Sequence, residues 1–212
     1  MKSAIRTLES PSAEDLLDAD VSWWLEAAPE ERILAVDEAR RDLERMGRDG
    51  MRRRRNARRG VSRDFEDFLE LLERNQVEYL VVGGYAVAFH STPRYTKDID
   101  ILVRAARKNA TRVLAAISEF AGPPDVSAER LARPDLVLMM GLPPTRIDVL
   151  TSIDGCDFAR AWRRRVRGRY GSQEVWFIGR KDLIAAKKAA AREQDLLDLK
   201  RLERAARLGA RG

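Results

Sequence analysis

Apolar and polar positions follow two periods along this chain, one typical of helices and one typical of strands. Apolar positions at i, i+3, i+4 and i+7, beginning at Phe65, predict an amphipathic helix over residues 63–75. Short apolar runs bounded by turn residues predict strands. The predicted strands cover residues 77–82, 98–103, 136–140, 146–150, 166–170 and 174–178. The predicted helices cover residues 13–18, 29–46, 63–75, 85–90, 109–120, 127–132, 157–165, 181–192 and 195–208.

The order of these elements predicts an α/β (α+β) fold, with a small mixed sheet flanked by helices and an N-terminal helical extension. Charge divides the chain into three segments. Residues 1–50 form an acidic helical extension, residues 51–60 an arginine-rich linker, and residues 61–212 a basic domain with C-terminal helices. The net charge of +6 over 212 residues favours an anionic partner such as a nucleotide or RNA.

Composition also bounds the environment of the protein. Cys156 is the only cysteine, so the chain forms no internal disulfide and suits a reducing compartment. No apolar run approaches the roughly 20 residues that span a bilayer, and the N-terminus lacks the apolar core of a signal peptide. We therefore expect a cytoplasmic protein with no membrane partner.

Two aspartates lie close together in a strand that follows a pair of glycines. The first predicted strand stops at Gly83 and Gly84, and Asp98 and Asp100 begin the next one. Residues two apart lie on the same face of a strand, so both carboxylates project together. Adjacent carboxylates repel each other unless a divalent cation or solvent relieves the repulsion. Asp148 lies in a similar apolar run, and three such carboxylates beside a glycine turn suit two Mg²⁺ ions and a triphosphate.

These residues form a family pattern: an apolar strand, a Gly-Gly pair, an Asp-x-Asp motif and a later aspartate on another strand. On this pattern the sequence resembles the nucleotidyltransferase superfamily that includes DNA polymerase beta. Within it, the chain resembles the small bacterial nucleotidyltransferases of abortive-infection and toxin–antitoxin systems. Residues 83–90, 94–100 and 187–198 carry the resemblance, which covers about residues 61–202.

The resemblance implies a nucleotidyltransferase core and assigns roles to residues of this chain. Asp98, Asp100 and Asp148 are expected to be catalytic and to bind two Mg²⁺ ions, with Asp148 at the ion that activates the acceptor. The residues expected to contact the nucleoside triphosphate are Gly83, Gly84, Arg94, Lys97 and Lys187. Many relatives carry serine in place of Gly84, so this chain lacks one hydroxyl contact to the phosphates.

The expected reaction transfers a nucleoside monophosphate from a nucleoside triphosphate to an acceptor hydroxyl and releases pyrophosphate. The basic domain and the resemblance favour the 3′ end of a tRNA as acceptor, and a protein hydroxyl is the competing candidate. The resemblance also implies a toxin–antitoxin or defence role. Two alternatives stay open: a catalytically weak antitoxin or partner-binding protein in which residues 1–50 act as an inhibitor, and an RNA-binding module that ignores Mg²⁺.

The acidic extension carries an apolar stripe at helical spacing, formed by Ile33, Val36, Ala39, Leu43 and Met46. A lone helix with one apolar stripe must bury it elsewhere, and so short a segment makes a poor independent core. We expect this helix to dock on the main domain or on another subunit.

Several other chemical groups have two interpretations. The arginines of residues 52–59 and of residues 163–169 form either nucleic-acid contacts or ordinary charged surfaces. We expect His90 to be a packed residue rather than a catalyst, and Cys156 to be an incidental thiol rather than a nucleophile. The residues around Lys187 form either a nucleotide contact or a helix face with salt bridges; they are Lys187, Arg192, Asp195 and Asp198.

Overall fold

The computed structural model describes residues 21–46 and 61–210, although not the side chains of residues 42–46. The predicted helix at 13–18 and the arginines of the linker lie outside the described residues. The described strands are β1 Tyr79–Val81, β2 Asp98–Val103, β3 Val137–Met140, β4 Arg146–Leu150, β5 Val166–Tyr170 and β6 Gln173–Phe177. The helices are α1 Pro29–Met46, α2 Arg63–Arg74, α3 Gly83–His90, α4 Arg107–Ala121, α5 Ala128–Leu131, α6 Phe158–Arg163, α7 Arg180–Ala190 and α8 Glu193–Gly209.

The strands form one six-stranded mixed sheet in the order β3-β4-β2-β1-β6-β5. The central strand β1 pairs antiparallel with β2 and parallel with β6, and β2 pairs parallel with β4. The strands β3 and β5 close the two edges through antiparallel pairs with β4 and β6. The expected α/β fold with a small mixed sheet flanked by helices is thereby confirmed.

The first strand is shorter than the apolar run at 77–82 predicts. The backbone N–H of Val77 donates to Leu72, which ties the start of the run to the end of α2. At the other end, the N–H of Val82 donates to the carbonyl of Asp100, and the chain then enters α3 at Gly83. Helix α3 therefore begins within the glycine pair, two residues earlier than predicted.

Helix α2 buries the apolar stripe that predicted it from the sequence. All four predicted positions are buried, namely Phe65, Phe68, Leu69 and Leu72. The ring of Phe65 packs edge-on against Tyr85 of α3 at 6.0 Å between centroids. Burial of one such large apolar side chain contributes roughly 1.5–3 kcal/mol, so this stripe attaches α2 firmly to the core.

The described part of the acidic extension packs on the same chain. Ile33 and Val36 of α1 are buried in the hydrophobic core. Asp37 is also buried and accepts hydrogen bonds from the hydroxyls of Tyr85 at 2.9 Å and Tyr170 at 2.8 Å. These contacts join α1 to α3 and β5. In the described residues, no helix has the length and apolar character that crossing a membrane requires.

Candidate active site

The three aspartates singled out from the sequence lie on adjacent strands. In the parallel pair β2–β4, Asp98 lies opposite Arg146 and Asp100 lies opposite Asp148. These four side chains share one side of the sheet, which we call the acidic face, because facing residues of paired strands project to the same side. Ile99 of β2 lies between the two acids and is buried on the other side.

Arg146 joins two of these carboxylates, and sequence analysis missed it. Its Nε and Nη2 donate to the two carboxylate oxygens of Asp148 at 2.7 and 2.8 Å. The same Nη2 also donates to Asp98 across the strand pair. The signal was available, since Arg146 precedes Asp148 by two residues in a strand and therefore shares its face.

Asp100 lies in the most acidic surroundings of the group. The pKa of Asp100 is raised to about 6, mainly by burial and then by the charges of Asp98 and Asp148, while Lys187 and Arg94 act in the opposite direction. A carboxyl group that resists ionisation beside other carboxylates is the expected result of placing like charges together in a partly buried site. The site therefore favours an added cation.

The donor set at this site consists of carboxylate oxygens, which are the ligands that Mg²⁺ prefers. Within residues 21–46 and 61–210, however, no three acidic, histidine or cysteine side chains already converge in a metal-binding arrangement. The guanidinium of Arg146 contacts both Asp98 and Asp148 and takes the cationic role between them. Asp98, Asp100 and Asp148 thus have the chemistry for divalent cations, and two of them are paired with Arg146.

The glycine pair lets helix α3 approach the acidic face closely. Gly83 has a φ of +59°, and a Cβ at this position would lie 2.6 Å from Cγ of Asp100. A Cβ at Gly84 would lie 2.9 Å from Cβ of Thr96, whose hydroxyl donates to Asp98 at 2.8 Å. The N-terminal N–H groups of a helix have no intrahelical acceptors, so this end of α3 presents amide donors beside the carboxylates.

Two of the expected phosphate-binding cations are held by buried acids of α8. Nζ of Lys187 lies 2.6 Å from Asp195 and 2.9 Å from Asp198. Arg94 contacts the same Asp198 through Nε at 2.7 Å and Nη2 at 3.0 Å. Asp198 is fully buried, and the pKa of its carboxyl is lowered because Arg94 and Lys187 favour its charged form against the effect of burial. Asp198 therefore fixes both cations in place.

A cleft of about 710 Å³ lies between the acidic face and α7. Asp98 and Asp100 line it, together with all five residues expected to contact the nucleoside triphosphate: Gly83, Gly84, Arg94, Lys97 and Lys187. The lining also includes residues before, in and after β3 and β4, both apolar and polar: Asp135, Leu136, Val137, Leu150, Ser152, Ile153 and Asp154. Asp148 is buried against Arg146 and does not line the cleft itself.

Comparison with known proteins decides the family. Residues 62–208 match the sequence model of a family described as "Nucleotidyltransferase of unknown function (DUF6036)". The chain belongs to this nucleotidyltransferase family. No curated protein matches the chain. Among solved structures, the lincosamide antibiotic adenylyltransferase LnuA bound to lincomycin is similar, with 16% identity, a TM-score of 0.42, and coverage of 68% of this chain and 98% of that one.

The histidine and the cysteine of this nucleotidyltransferase have no catalytic surroundings. Nε2 of His90 lies 2.7 Å from the carbonyl oxygen of Ile178, and burial lowers the pKa of His90 to about 4. His90 is therefore neutral and attaches the end of α3 to the chain after β6, as expected of a packed residue. Burial raises the pKa of Cys156 to about 11, which keeps the thiol protonated and unsuited to nucleophilic attack.

The second arginine cluster of the nucleotidyltransferase lies at the β5 edge of the sheet, the opposite edge from β3. The guanidinium of Arg165 contacts two indole rings. Its Cζ lies 3.9 Å from the ring centroid of Trp162 and 4.3 Å from that of Trp176. Arg164 pairs with Asp182, and Arg167 pairs with Glu174. Several arginines of the cluster thus have partners within the chain, although Arg164 and Arg167 keep substantial exposure.

Proposed function

We propose that this nucleotidyltransferase transfers a nucleoside monophosphate from a nucleoside triphosphate to an acceptor hydroxyl in a Mg²⁺-dependent reaction. The observation that supports this proposal best is the strand register that sets Asp100 opposite Asp148 and Asp98 two residues away, beside the glycine pair. A cleft with cations at one side of these acids has the charge pattern that a metal-bound triphosphate needs.

In this proposal Asp98, Asp100 and Asp148 hold two Mg²⁺ ions. The bound ions would supply an activated acceptor hydroxyl and would offset charge on the transferred phosphoryl group. The protein's own contribution is to hold three carboxylates on two rigid strands. Arg146 holds Asp98 and Asp148 together across the strand pair.

The triphosphate would lie along the cationic side of the cleft. The N–H groups at Gly83 and Gly84 face the phosphates, and Arg94, Lys97 and Lys187 supply positive charge. The acceptor oxygen attacks the α-phosphorus and forms a new ester bond. The bond between the α-phosphorus and its bridging oxygen breaks, pyrophosphate leaves with the electron pair, and the hydroxyl proton passes to solvent.

The acceptor has two candidates. The net charge of +6 supports the 3′ end of a tRNA, because basic proteins bind phosphodiester backbones. The exposed apolar side chain of Met139, which lies opposite Asp148 on the edge strand β3, supports a protein hydroxyl. The resemblance to small bacterial nucleotidyltransferases supports a toxin–antitoxin or defence role in the cytoplasm, where nucleoside triphosphates, Mg²⁺ and both acceptors are present.

The direct test is transfer of label from each α-³²P nucleoside triphosphate, with Mg²⁺, to a tRNA pool and to a protein pool. We expect Asp98→Asn, Asp100→Asn and Asp148→Asn to lower transfer at least about a hundredfold, since each removes a charged ligand of the metal site. Asp125→Asn is the matched control, because Asp125 is an exposed loop aspartate. Full turnover in folded Asp98→Asn or Asp100→Asn protein would refute the proposal.

A second candidate function rests on Arg146. Because Arg146 already pairs with both Asp98 and Asp148, these two acids are held together without metal, as a partner-binding protein or antitoxin requires. Such a protein would bind RNA or a partner equally well with and without Mg²⁺, and Asp100→Asn would leave that binding unchanged. Inhibition by residues 1–50 would be seen as higher activity after their removal.

A further inference from the structure

The strand β3 places an uncharged, exposed apolar surface directly beside Asp148. Val137, Met139 and Leu142, which we call the β3 rim, are 52%, 64% and 79% exposed. Residues 136–145 contain no charged residue, although 35% of the whole chain is charged. An exposed apolar patch in an otherwise highly charged protein indicates an interaction site.

The register ties two residues of the β3 rim, Val137 and Met139, to the acidic face. Met139 lies opposite Asp148, and Val137 lies opposite Leu150 in the antiparallel pair with β4. Facing residues project to the same side with Cβ atoms about 5 Å apart, so Met139 and Val137 lie on the acidic face. An acceptor that reaches Asp148 from this side contacts the rim.

The edge of β3 also leaves backbone groups available. Among the described strands, β3 pairs with β4 alone. The carbonyl of Leu136 accepts from the N–H of Thr151, and the N–H of Leu136 donates to the hydroxyl of Thr151, so the backbone groups of Leu136 point toward β4. Since these directions alternate along an antiparallel strand, the N–H and C=O groups of Val137 and Met139 point outward.

The arrangement distinguishes a polypeptide acceptor from an RNA acceptor. A phosphodiester backbone needs cations. The cations that line the cleft lie on the side assigned to the triphosphate, and they are Arg94, Lys97, Lys187 and Arg192. The exposed arginines of β5 lie four strand spacings from β4, about 19 Å away. The neighbouring strand β3 offers apolar side chains and outward backbone groups instead. An extended polypeptide uses both, because it can add as a strand to a free sheet edge and cover the apolar side chains.

We propose that the acceptor is a protein, held by an extended segment that pairs with the β3 edge and covers the β3 rim while it presents a side-chain hydroxyl near Asp148. This inference rests on the proposed transfer reaction. The hydroxyl oxygen forms the new bond to the α-phosphorus, pyrophosphate departs with the electrons of the broken bond, and the proton goes to solvent.

The test uses the full chain with α-³²P nucleoside triphosphates and Mg²⁺ in two acceptor pools. One pool is RNase-treated cell protein, and the other is purified total tRNA. Val137→Thr combined with Leu142→Gln removes apolar surface without changing charge and leaves Met139 beside Asp148. Val166→Thr with Leu197→Gln is the matched control, since Val166 and Leu197 are exposed to 37% and 47% and Val166 lies on the opposite edge strand.

We expect label in the protein pool, a fall of about tenfold or more in the β3-rim variant, and no change in the control. Because Val137 also lines the cleft, binding of the nucleoside triphosphate with Mg²⁺ is measured in every variant, and labelling is compared at a saturating concentration of the nucleoside triphosphate. Val137→Pro, which removes one outward N–H but no bond to β4, should lower labelling similarly while the folded state is retained by circular dichroism.

Label in tRNA instead of protein would overturn this inference and leave the transfer reaction standing. Protein labelling at wild-type rates in the β3-rim variant and in folded Val137→Pro protein would overturn it as well. If neither pool takes label, the proposed transfer reaction fails together with the inference.

Discussion

The guanidinium of Arg146 binds both carboxylate oxygens of Asp148, at 2.7 and 2.8 Å. It contacts Asp98 at the same time, so one positive group bridges two of the three acids on the sheet and balances one of their two negative charges. The protein therefore carries an internal cation at the place where the proposed function needs metal ions.

Arg146→Gln should destabilise the metal-free protein by about 1–3 kcal/mol, because it leaves Asp98 and Asp148 close together without a cation. Mg²⁺ should then raise the melting temperature of the variant more than that of the wild type, since the ion replaces the missing charge. Thermal unfolding with EDTA and with Mg²⁺ measures both effects. Arg107→Gln is the control, because its ion pair with Glu129 is exposed; an equal Mg²⁺ response in all three proteins would contradict the prediction.

The raised pKa of Asp100 predicts a pH dependence of stability. Its pKa is about 6 in the folded protein against an ordinary value of 3.8, so the folded state binds the proton more tightly than the unfolded state. This tighter proton binding stabilises the folded state by roughly 3 kcal/mol at low pH. The stabilisation is fully present below about pH 4 and is lost as pH rises through about 6.

Urea denaturation of the metal-free protein between pH 4 and 7 measures this contribution. Asp100→Asn cannot titrate, so the difference in unfolding free energy between the variant and the wild type should grow with pH in favour of the variant and level off above about pH 6. A difference that stays constant over this range would show that Asp100 titrates normally.

Gly83→Ala should be much more damaging than an alanine at another glycine with positive φ. At Gly83 the added methyl group meets the Asp100 carboxylate, whereas at Gly122, with a φ of +90°, nothing lies within 4 Å. Gly122→Ala should therefore show only the backbone cost of about 1 kcal/mol. Gly83→Ala should add steric displacement of Asp100 and lose transfer activity, and equal melting temperatures with equal activity would contradict this reasoning.

Asp37→Ala should destabilise the protein by about 2–4 kcal/mol, because the buried hydroxyls of Tyr85 and Tyr170 lose their acceptor. The neighbouring Glu38 is exposed, so Glu38→Ala is a matched control with little expected effect. For the same reason, removal of residues 1–49 should lower stability and activity. A stable, more active truncated protein would instead support the inhibitor alternative.

The apolar pattern determined much of the local structure. Runs bounded by turn residues located all six described strands to within a few residues, and the stripe of Phe65, Phe68, Leu69 and Leu72 identified the buried face of α2. The separation of two residues between Asp98 and Asp100 also predicted that both lie on the same face of their strand. These features depend on residues within a few positions of each other, so the periods of helix and strand are enough to predict them.

The tertiary structure decided which of these local elements became neighbours. Only the parallel pairing of β2 with β4 sets Asp148 beside Asp100 and lets Arg146 reach Asp98, 48 residues away. Only the fold brings Tyr170 to Asp37, 133 positions earlier. Strand order and long-range contacts follow from how whole faces pack together, and no local period in the sequence encodes that choice.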